Sequence, residues 1–382
     1  MGSRNKQESV PSFSLHEQNR VLKSEILRVI SQCIDEGKFI LGDHVKTLEQ
    51  QIAQMCGVPY AVGVANGSDA LYLSLLACGV GPGDEVITTP FTFFATAGSI
   101  SRVGAKPVFV DIDEQTWNID ASSIEEKITQ KTKAIIPVHL YGCPAQMDAI
   151  TEIAKRRNIK VIEDAAQALG AKFQDKHIGG LGDLCCLSFF PTKNLGAFGD
   201  GGMILTSDPE LYEKIKLLRV HGAGQKYHHT ILGCNSRLDE LQAAILAVKQ
   251  QYLQQWTERR RTVAARYGQL LDDLKSINAA GIKLPIEPHN TYHVYHQYTI
   301  QTPRRDQLQL YLQEHGIGST VYYPIPMHLQ KVYASLGYHP GDFPVAERAC
   351  KEVLSLPMFP ELTDRQVTHV VRTVGKFLTE VS

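Results

Sequence analysis

KVIEDA (160–165), LCCLSFF (184–190) and GMILT (202–206) decide the fold of this chain. Each run is apolar on consecutive positions, so an extended backbone there would present both faces for burial. Four similar runs precede them: AVGVA (61–65), EVITT (85–89), PVFVDI (107–112) and AIIPVHL (134–140). Between most of them lie segments of helical periodicity, for example 68–77 and 147–157. Seven such runs alternating with helices predict an α/β fold, with a mostly parallel seven-stranded sheet between helices. The ligand site of such a sheet lies beyond the carboxyl ends of its strands, where the loops gather.

On the N-terminal side, residues 20–56 read as two helices broken at Gly42. On the C-terminal side, a long helix is expected over 236–271, with Leu and Ala on one face and ERRR (258–261) on a solvated one. After IKLPIEPHN (282–290), HVYHQYTIQ (293–301) alternates like a half-buried strand. Helical pieces at 304–315, 344–354 and 363–378 complete a smaller α+β unit. The expected division is a large α/β domain over 1–250 and a small one over 251–382.

The 382 residues carry a net charge of −1, which gives no electrostatic case for nucleic acid or an anionic membrane as a partner. Eight cysteines are scattered without a CxxC pair or a Cys/His cluster, so no metal is expected, and reduced buried thiols fit a cytoplasmic protein. The N-terminus lacks a signal-peptide apolar stretch, and no run is long enough to span a bilayer.

Three stretches on loops after strands carry candidate chemistry. Asn66-Gly67-Ser68-Asp69-Ala70 opens a helix after AVGVA, where free N–H groups, a hydroxyl and the positive end of the helix dipole suit a phosphate. An ordinary N-cap explains the same residues. Glu163-Asp164-Ala165-Ala166-Gln167 puts acids at the edge of a buried strand, which calls for a basic partner; a protonated ring nitrogen is one, a helix cap or ion pair the alternative. Finally, SFFPTKNLGAFGDGG (188–202) places Lys193 in an apolar, glycine-rich setting. Desolvation there would lower its pKa and make it a nucleophile toward an aldehyde. Gly199, Gly201 and Gly202 would let backbone approach a bound ligand, whereas the bland reading is a tight turn with an exposed lysine.

The order phosphate cup, carboxylate, lysine is that of fold-type I enzymes using pyridoxal 5'-phosphate (PLP). Over nearly its whole length the chain resembles the sugar aminotransferases grouped with DegT, DnrJ, EryC1 and StrS. The resemblance rests on NGSDAL, TPFTFFAT, EDAAQALGA, SFFPTKNLGAFGDGG and GCNSRLDELQAAIL, and extends from FILGDHVKTLEQQIA (39–53) to VYYPIPMHLQ (321–330).

The resemblance implies that Lys193 holds PLP as a Schiff base and later moves the proton. It implies that Asp164 pairs with the ring nitrogen, that Gln167 lies near the 3'-hydroxyl and that Phe93 stacks on the ring. Gly67, Ser68 and Ser188 would hold the phosphate, joined by Asn235 from the neighbouring subunit of a homodimer with shared sites. Arg219, His221, Tyr322, Tyr323 and His328 would face a nucleotide-linked sugar, each with a structural alternative, while His228-His229 is expected to be an exposed loop. L-Glutamate would give its amino group to PLP, leaving 2-oxoglutarate and pyridoxamine phosphate, which would aminate a keto sugar. A lysine rather than a histidine at 193 fits transamination, not dehydration. RVHG and NSRLDELQAA resemble members acting at C3 of a dTDP-3-oxo-6-deoxyhexose; a UDP-linked 3-oxo uronic acid, a 4-keto sugar or a keto-inositol are alternatives. Two other classes compete: a nicotinamide dehydrogenase, which AVGVANGSDAL disfavours for want of a G-x-G-x-x-G turn, and a non-catalytic regulatory protein on the same fold.

Overall fold

The computed structural model describes residues 9–275 and 281–380. All seven apolar runs are strands: β1 (Tyr60–Val64), β2 (Glu85–Thr88), β3 (Lys106–Phe109), β4 (Thr132–Ile135), β5 (Lys160–Asp164), β6 (Leu184–Ser188) and β7 (Gly202–Thr206). They form one sheet in the order β1-β7-β6-β5-β4-β2-β3. Strands β6, β5, β4, β2 and β3 run parallel, and β7 lies antiparallel to both its neighbours.

Alternation along the strands sends their side chains into two separate cores. On one face Ile162, Leu184, Cys186 and Ile204 meet Leu71 and Leu75 of α3 (Gly67–Ala77) and Ile215 of α6 (Pro209–Leu218). On the other, Cys185, Leu187, Met203 and Leu205 meet α2 (Asp43–Cys56) and α7 (Glu240–Gln250), while Val161 and Ile135 meet α5 (Met147–Arg157). Each fully buried Leu or Ile contributes about 1.5–3 kcal/mol, enough to fix register, since a one-residue slip would exchange the faces.

Several boundaries differ from the sequence reading. α1 (His16–Glu36) ends at Gly37 in the left-handed region, and the chain runs on to Gly42 before α2. Glu240 explains the second start: its carboxylate accepts the N–H groups of Gly42 (2.9 Å) and His44 at the N-terminus of α2. The long helix expected over 236–271 is two, α7 and α8 (Leu253–Lys275). Of the strand expected over 293–301 only β8 (Tyr298–Gln301) is extended in a ladder, paired antiparallel with β9 (Val353–Leu356). Residues 293–297 instead follow the rim of the candidate site, where the Val294 N–H donates to the Gly142 carbonyl (3.1 Å). α9 (Arg305–Glu314), α10 (Pro344–Glu352) and α11 (Asp364–Glu380) match the expected helical pieces to within a few residues. α8, α9, α11, β8 and β9 share one apolar core, to which the N-terminal Val10 also belongs. Among the described residues no helix is long and apolar enough to cross a membrane.

Candidate active site

A cavity of about 450 Å3 opens at the carboxyl ends of β5 and β6, and Asn66, Gly67, Ser68, Phe93, Asp164, Gln167, Ser188, Lys193, Tyr322 and Tyr323 are among its lining residues. The structure thus brings together residues far apart in the chain.

The phosphate-cup segment is shaped by close backbone packing. α3 starts at Gly67 after the N-cap Asn66, whose Oδ1 accepts the Asp69 N–H (2.8 Å). A Cβ on Gly67 would sit 2.8 Å from Cβ of Ser188, and one on Gly202 would sit 2.4 Å from the Asn66 carbonyl carbon. Glycine lets the first residue of β7 pass beneath the start of α3, which sets the Ser188 hydroxyl beside Gly67. The expectation that Gly201 and Gly202 admit a ligand is therefore corrected: a Cβ there would meet Leu238, Phe189 or Asn66.

Strand alternation also decides between the two acids. Glu163 points to the α5 face, buried with His139 at 2.9 Å and with the Leu181 and Gly182 N–H groups donating to it. The Ala145 N–H donates to His139 Nδ1 (3.0 Å), so His139 Nε2 carries the proton given to Glu163. Asp164 points to the α3 face and into the cavity, 5 % exposed. Its Oδ2 accepts the Thr96 hydroxyl (2.8 Å) and its Oδ1 the Ala166 N–H (3.2 Å). Burial pushes the Asp164 carboxyl above the usual range, against those two hydrogen bonds and the nearby Lys193 charge.

Lys193 follows a tight turn in which its N–H donates to the Phe190 carbonyl (2.8 Å). Desolvation lowers its amine to about 8, and the Asp164 charge opposes that fall. Gln167 is fixed at both ends: its Oε1 accepts the Tyr141 N–H (2.6 Å) and its Nε2 donates to the Tyr323 hydroxyl (3.1 Å). Phe93 caps α4 (Phe94–Arg102) with its ring 57 % exposed at the cavity and 6.0 Å from the Tyr323 ring.

The other expected residues lie outside this lining. Arg219 is a structural cation, buried with its Nη1 on Glu49 (2.6 Å) and on the Gly63 carbonyl (2.8 Å). His328 is a core histidine: its Nε2 meets Glu347 (3.2 Å), its ring lies edge-on to Phe343, and burial lowers its pKa. Neither side chain lines the cavity of this chain. His221 and Asn235 are exposed; Asn235 is bridged to Val220, the residue before His221. His228 and His229 are exposed, as expected, but form the second strand of a hairpin rather than a loop.

Sequence reasoning missed Thr96, Thr92, Asn194 and His296. The Thr92 hydroxyl lies 2.9 Å from that of Thr96, extending the chain of hydroxyls that ends on Asp164. His296 lines the cavity with its Nδ1 3.0 Å from Asn194 Oδ1, the residue after Lys193, and burial holds the ring neutral. Thr96 could have been found only by knowing that the first turn of α4 meets the carboxyl end of β5. His296 was hidden by the alternation of its segment.

The residues fit PLP. Asp164 is a buried carboxylate whose hydrogen-bond donors are neutral, matching a protonated ring nitrogen, and the Gly67-Ser68 helix start matches a phosphate. Sheet, cavity and lysine together define a fold-type I PLP-dependent transferase. More narrowly, residues 20–375 match the model of the DegT/DnrJ/EryC1/StrS aminotransferase family, and the chain belongs to that family.

Among its relatives, a "Pleiotropic regulatory protein" of Geobacillus stearothermophilus is 57 % identical, covering 97 % of this chain and 98 % of its own. The UDP-N-acetyl-3-dehydro-alpha-D-glucosamine 3-aminotransferase of Acidithiobacillus ferrooxidans is 46 % identical over the same shares. The structure of S. venezuelae DesV with a ketimine intermediate superposes with a TM-score of 0.93 at 41 % identity, covering 97 % of this chain and 98 % of that one. NtdA of Bacillus subtilis, solved with bound pyridoxamine phosphate, gives a TM-score of 0.87 at 33 % identity, covering 97 % and 87 %.

Proposed function

We propose that this aminotransferase moves the amino group of L-glutamate onto C3 of a nucleotide-linked 3-oxo sugar, in the cytoplasm, as a homodimer whose sites are shared. The observation that carries the reading is the pairing, in one cavity, of Lys193 with a lowered pKa and Asp164 with a raised one. When bound, PLP supplies an aldehyde for an amine to capture and a ring that accepts the electron pair released at the substrate carbon.

The residues divide the work by position. The N–H groups at the start of α3, with the hydroxyls of Ser68 and Ser188, anchor the phosphate. The Asp164 carboxylate, oriented by Thr96, would keep the proton on the ring nitrogen. Phe93 would cover one ring face, and Gln167, held by Tyr141 and Tyr323, would limit sideways movement. Lys193 would hold the cofactor through its amine and, when free, would serve as the base that takes up and returns a proton in the site. At a pKa of about 8, roughly a tenth of the amine is neutral at pH 7, against about one part in three thousand for an ordinary lysine.

Tyr322 and Tyr323 at the cavity mouth are the proposed sugar contacts of this chain. Asn235 and His221, exposed and near each other, are assigned to the neighbouring subunit's site. The two-unit division at 250/251 is retained with one amendment: Val10 packs with the second unit. Relatives named for 3-amino sugars support C3, while the RVHG and NSRLDELQAA segments favour dTDP and the 46 % identical relative favours UDP. A non-catalytic role predicts a damaged site, and the one present has its lysine, carboxylate and glycine turn in place.

The test is a panel of dTDP- and UDP-linked 3-amino and 4-amino sugars assayed in reverse with 2-oxoglutarate, reading glutamate. Borohydride reduction and peptide mapping locate the attached cofactor. A visible band that fails to form with added PLP, or label on a lysine other than Lys193, would refute the site.

A further inference from the structure

Lys249 has no place in this chemistry, yet its side chain is fully buried. A lysine is seldom buried without a specific partner, because desolvating an ammonium is expensive. Its Nζ donates to the carbonyl of Gly196, three residues beyond Lys193, and lies 5.5 Å from the ring centroid of Phe198. Two turns earlier on the same face of α7, Gln242 brackets the next part of that loop. Its Oε1 accepts the Phe198 N–H (2.8 Å) and its Nε2 donates to the Phe198 carbonyl (3.2 Å).

The loop has little freedom to answer with any other shape. A Cβ on Gly196 would lie 2.2 Å from the Pro191 carbonyl oxygen, so the turn carrying Lys193 closes back on itself. Ala197 N–H donates to the Phe189 carbonyl (2.7 Å), which ties the far end to the strand exit. The charge supporting the Lys249 ammonium is Glu361, which also faces the buried guanidinium of Arg260. Arg260 repeats the device on the other wall: its Nη1 donates to the Met358 carbonyl (3.2 Å) and to those of Tyr295 and His296 (both 3.4 Å).

We infer that Lys249 is a positioning residue for Lys193: with Gln242, it makes the α7 face a template that holds the lysine loop in the geometry needed to join the cofactor. This rests on the reading of Lys193 as the cofactor-bearing residue. The Lys249 amine is lowered to about 8 by burial, as a group placed for contact rather than solvation would be.

A double-mutant cycle on PLP binding separates positioning from general support. Lys249→Met keeps length and apolar volume but removes the donor. PLP affinity of the full-length protein is measured by absorbance titration, with and without Lys193→Ala. The expected result is about a tenfold rise in Kd when Lys193 is present, the scale of one lost charged hydrogen bond, and under about twofold when it is absent. Gln242→Leu should show the same pattern more weakly, at about threefold, and decides the matter if Lys249→Met does not fold. Equal losses in both backgrounds, or no loss in either, would overturn the inference and leave the site reading intact. A wild-type protein that does not bind PLP would overturn both.

Discussion

Thr96→Val tests the pairing of Asp164 with a ring nitrogen most directly. Threonine and valine share a shape, so the substitution leaves no hole in the packing of α4 against β5. What is lost is the hydroxyl donor at 2.8 Å to a carboxylate only 5 % exposed, together with the Thr92 contact to that hydroxyl. A hydrogen bond to a charged group contributes about 1.5–3 kcal/mol, which corresponds to roughly one to two pKa units. Burial already raises the Asp164 carboxyl, and the loss of Thr96 raises it further. Below that raised pKa the carboxyl must ionise to face a pyridinium, so PLP Kd there should rise about ten- to a hundredfold over the wild type. The fall in affinity on acidification should begin about one to two pH units higher than in the wild type, because a raised carboxyl pKa means protonation at higher pH. Thr96→Ser, which keeps the donor, should recover most of the affinity. Equilibrium titration of the cofactor-free protein across pH checks this. A Thr96→Val protein within twofold of wild type, with an unshifted pH profile, would refute the assignment of Asp164.

Further outcomes follow from the same geometry. Asp164→Asn should abolish transamination yet raise the melting temperature of the cofactor-free protein at pH 7, since it removes a buried charge whose desolvation outweighs its two hydrogen bonds and the nearby Lys193 amine; calorimetry with and without PLP checks both signs. Capture of an aldehyde by Lys193 should accelerate with pH and reach half its plateau near pH 8, and the midpoint should fall in Asp164→Asn because the charge that raises the amine pKa is gone; stopped-flow absorbance reads the midpoint. Arg219→Met strands Glu49 beside a desolvated carbonyl and should cost about 3–5 kcal/mol in urea unfolding, while an unchanged stability with a raised sugar KM would restore Arg219 as a substrate contact. Gly202→Ala forces a Cβ to 2.4 Å from the Asn66 backbone and should abolish PLP binding through the cup, seen as loss of the visible band.

The sheet was legible because its strands are buried on both faces and therefore uniformly apolar, a pattern that survives without knowing the neighbours. Lys193, Asp164, Gly67 and Ser68 were legible because each breaks that pattern at a strand end. What failed did so for physical reasons. The break between α7 and α8 leaves no Gly or Pro to mark it, only Gln251 and Tyr252, and 293–297 alternates like a strand while its backbone bonds elsewhere. Arg219 and His328 carry side chains that read equally well as ligand or core, and only their partners, Glu49 and Glu347, tell which. Thr96 reaches Asp164 across 68 positions, beyond the range of any local pattern.

The antiparallel strand β7 has a consequence for how the molecule is made. β1 is one of the two edge strands, and its ladder partner is β7, which begins more than a hundred residues later. On a ribosome delivering about 5–20 residues per second, β1 waits several seconds with its hydrogen-bonding edge unmet. The phosphate cup, which needs Gly202 beneath Asn66, cannot exist in a nascent chain shorter than this. Cofactor capture is thus a late event in biosynthesis, and a truncated product ending before β7 would carry Lys193 without a cup to bring the aldehyde to it.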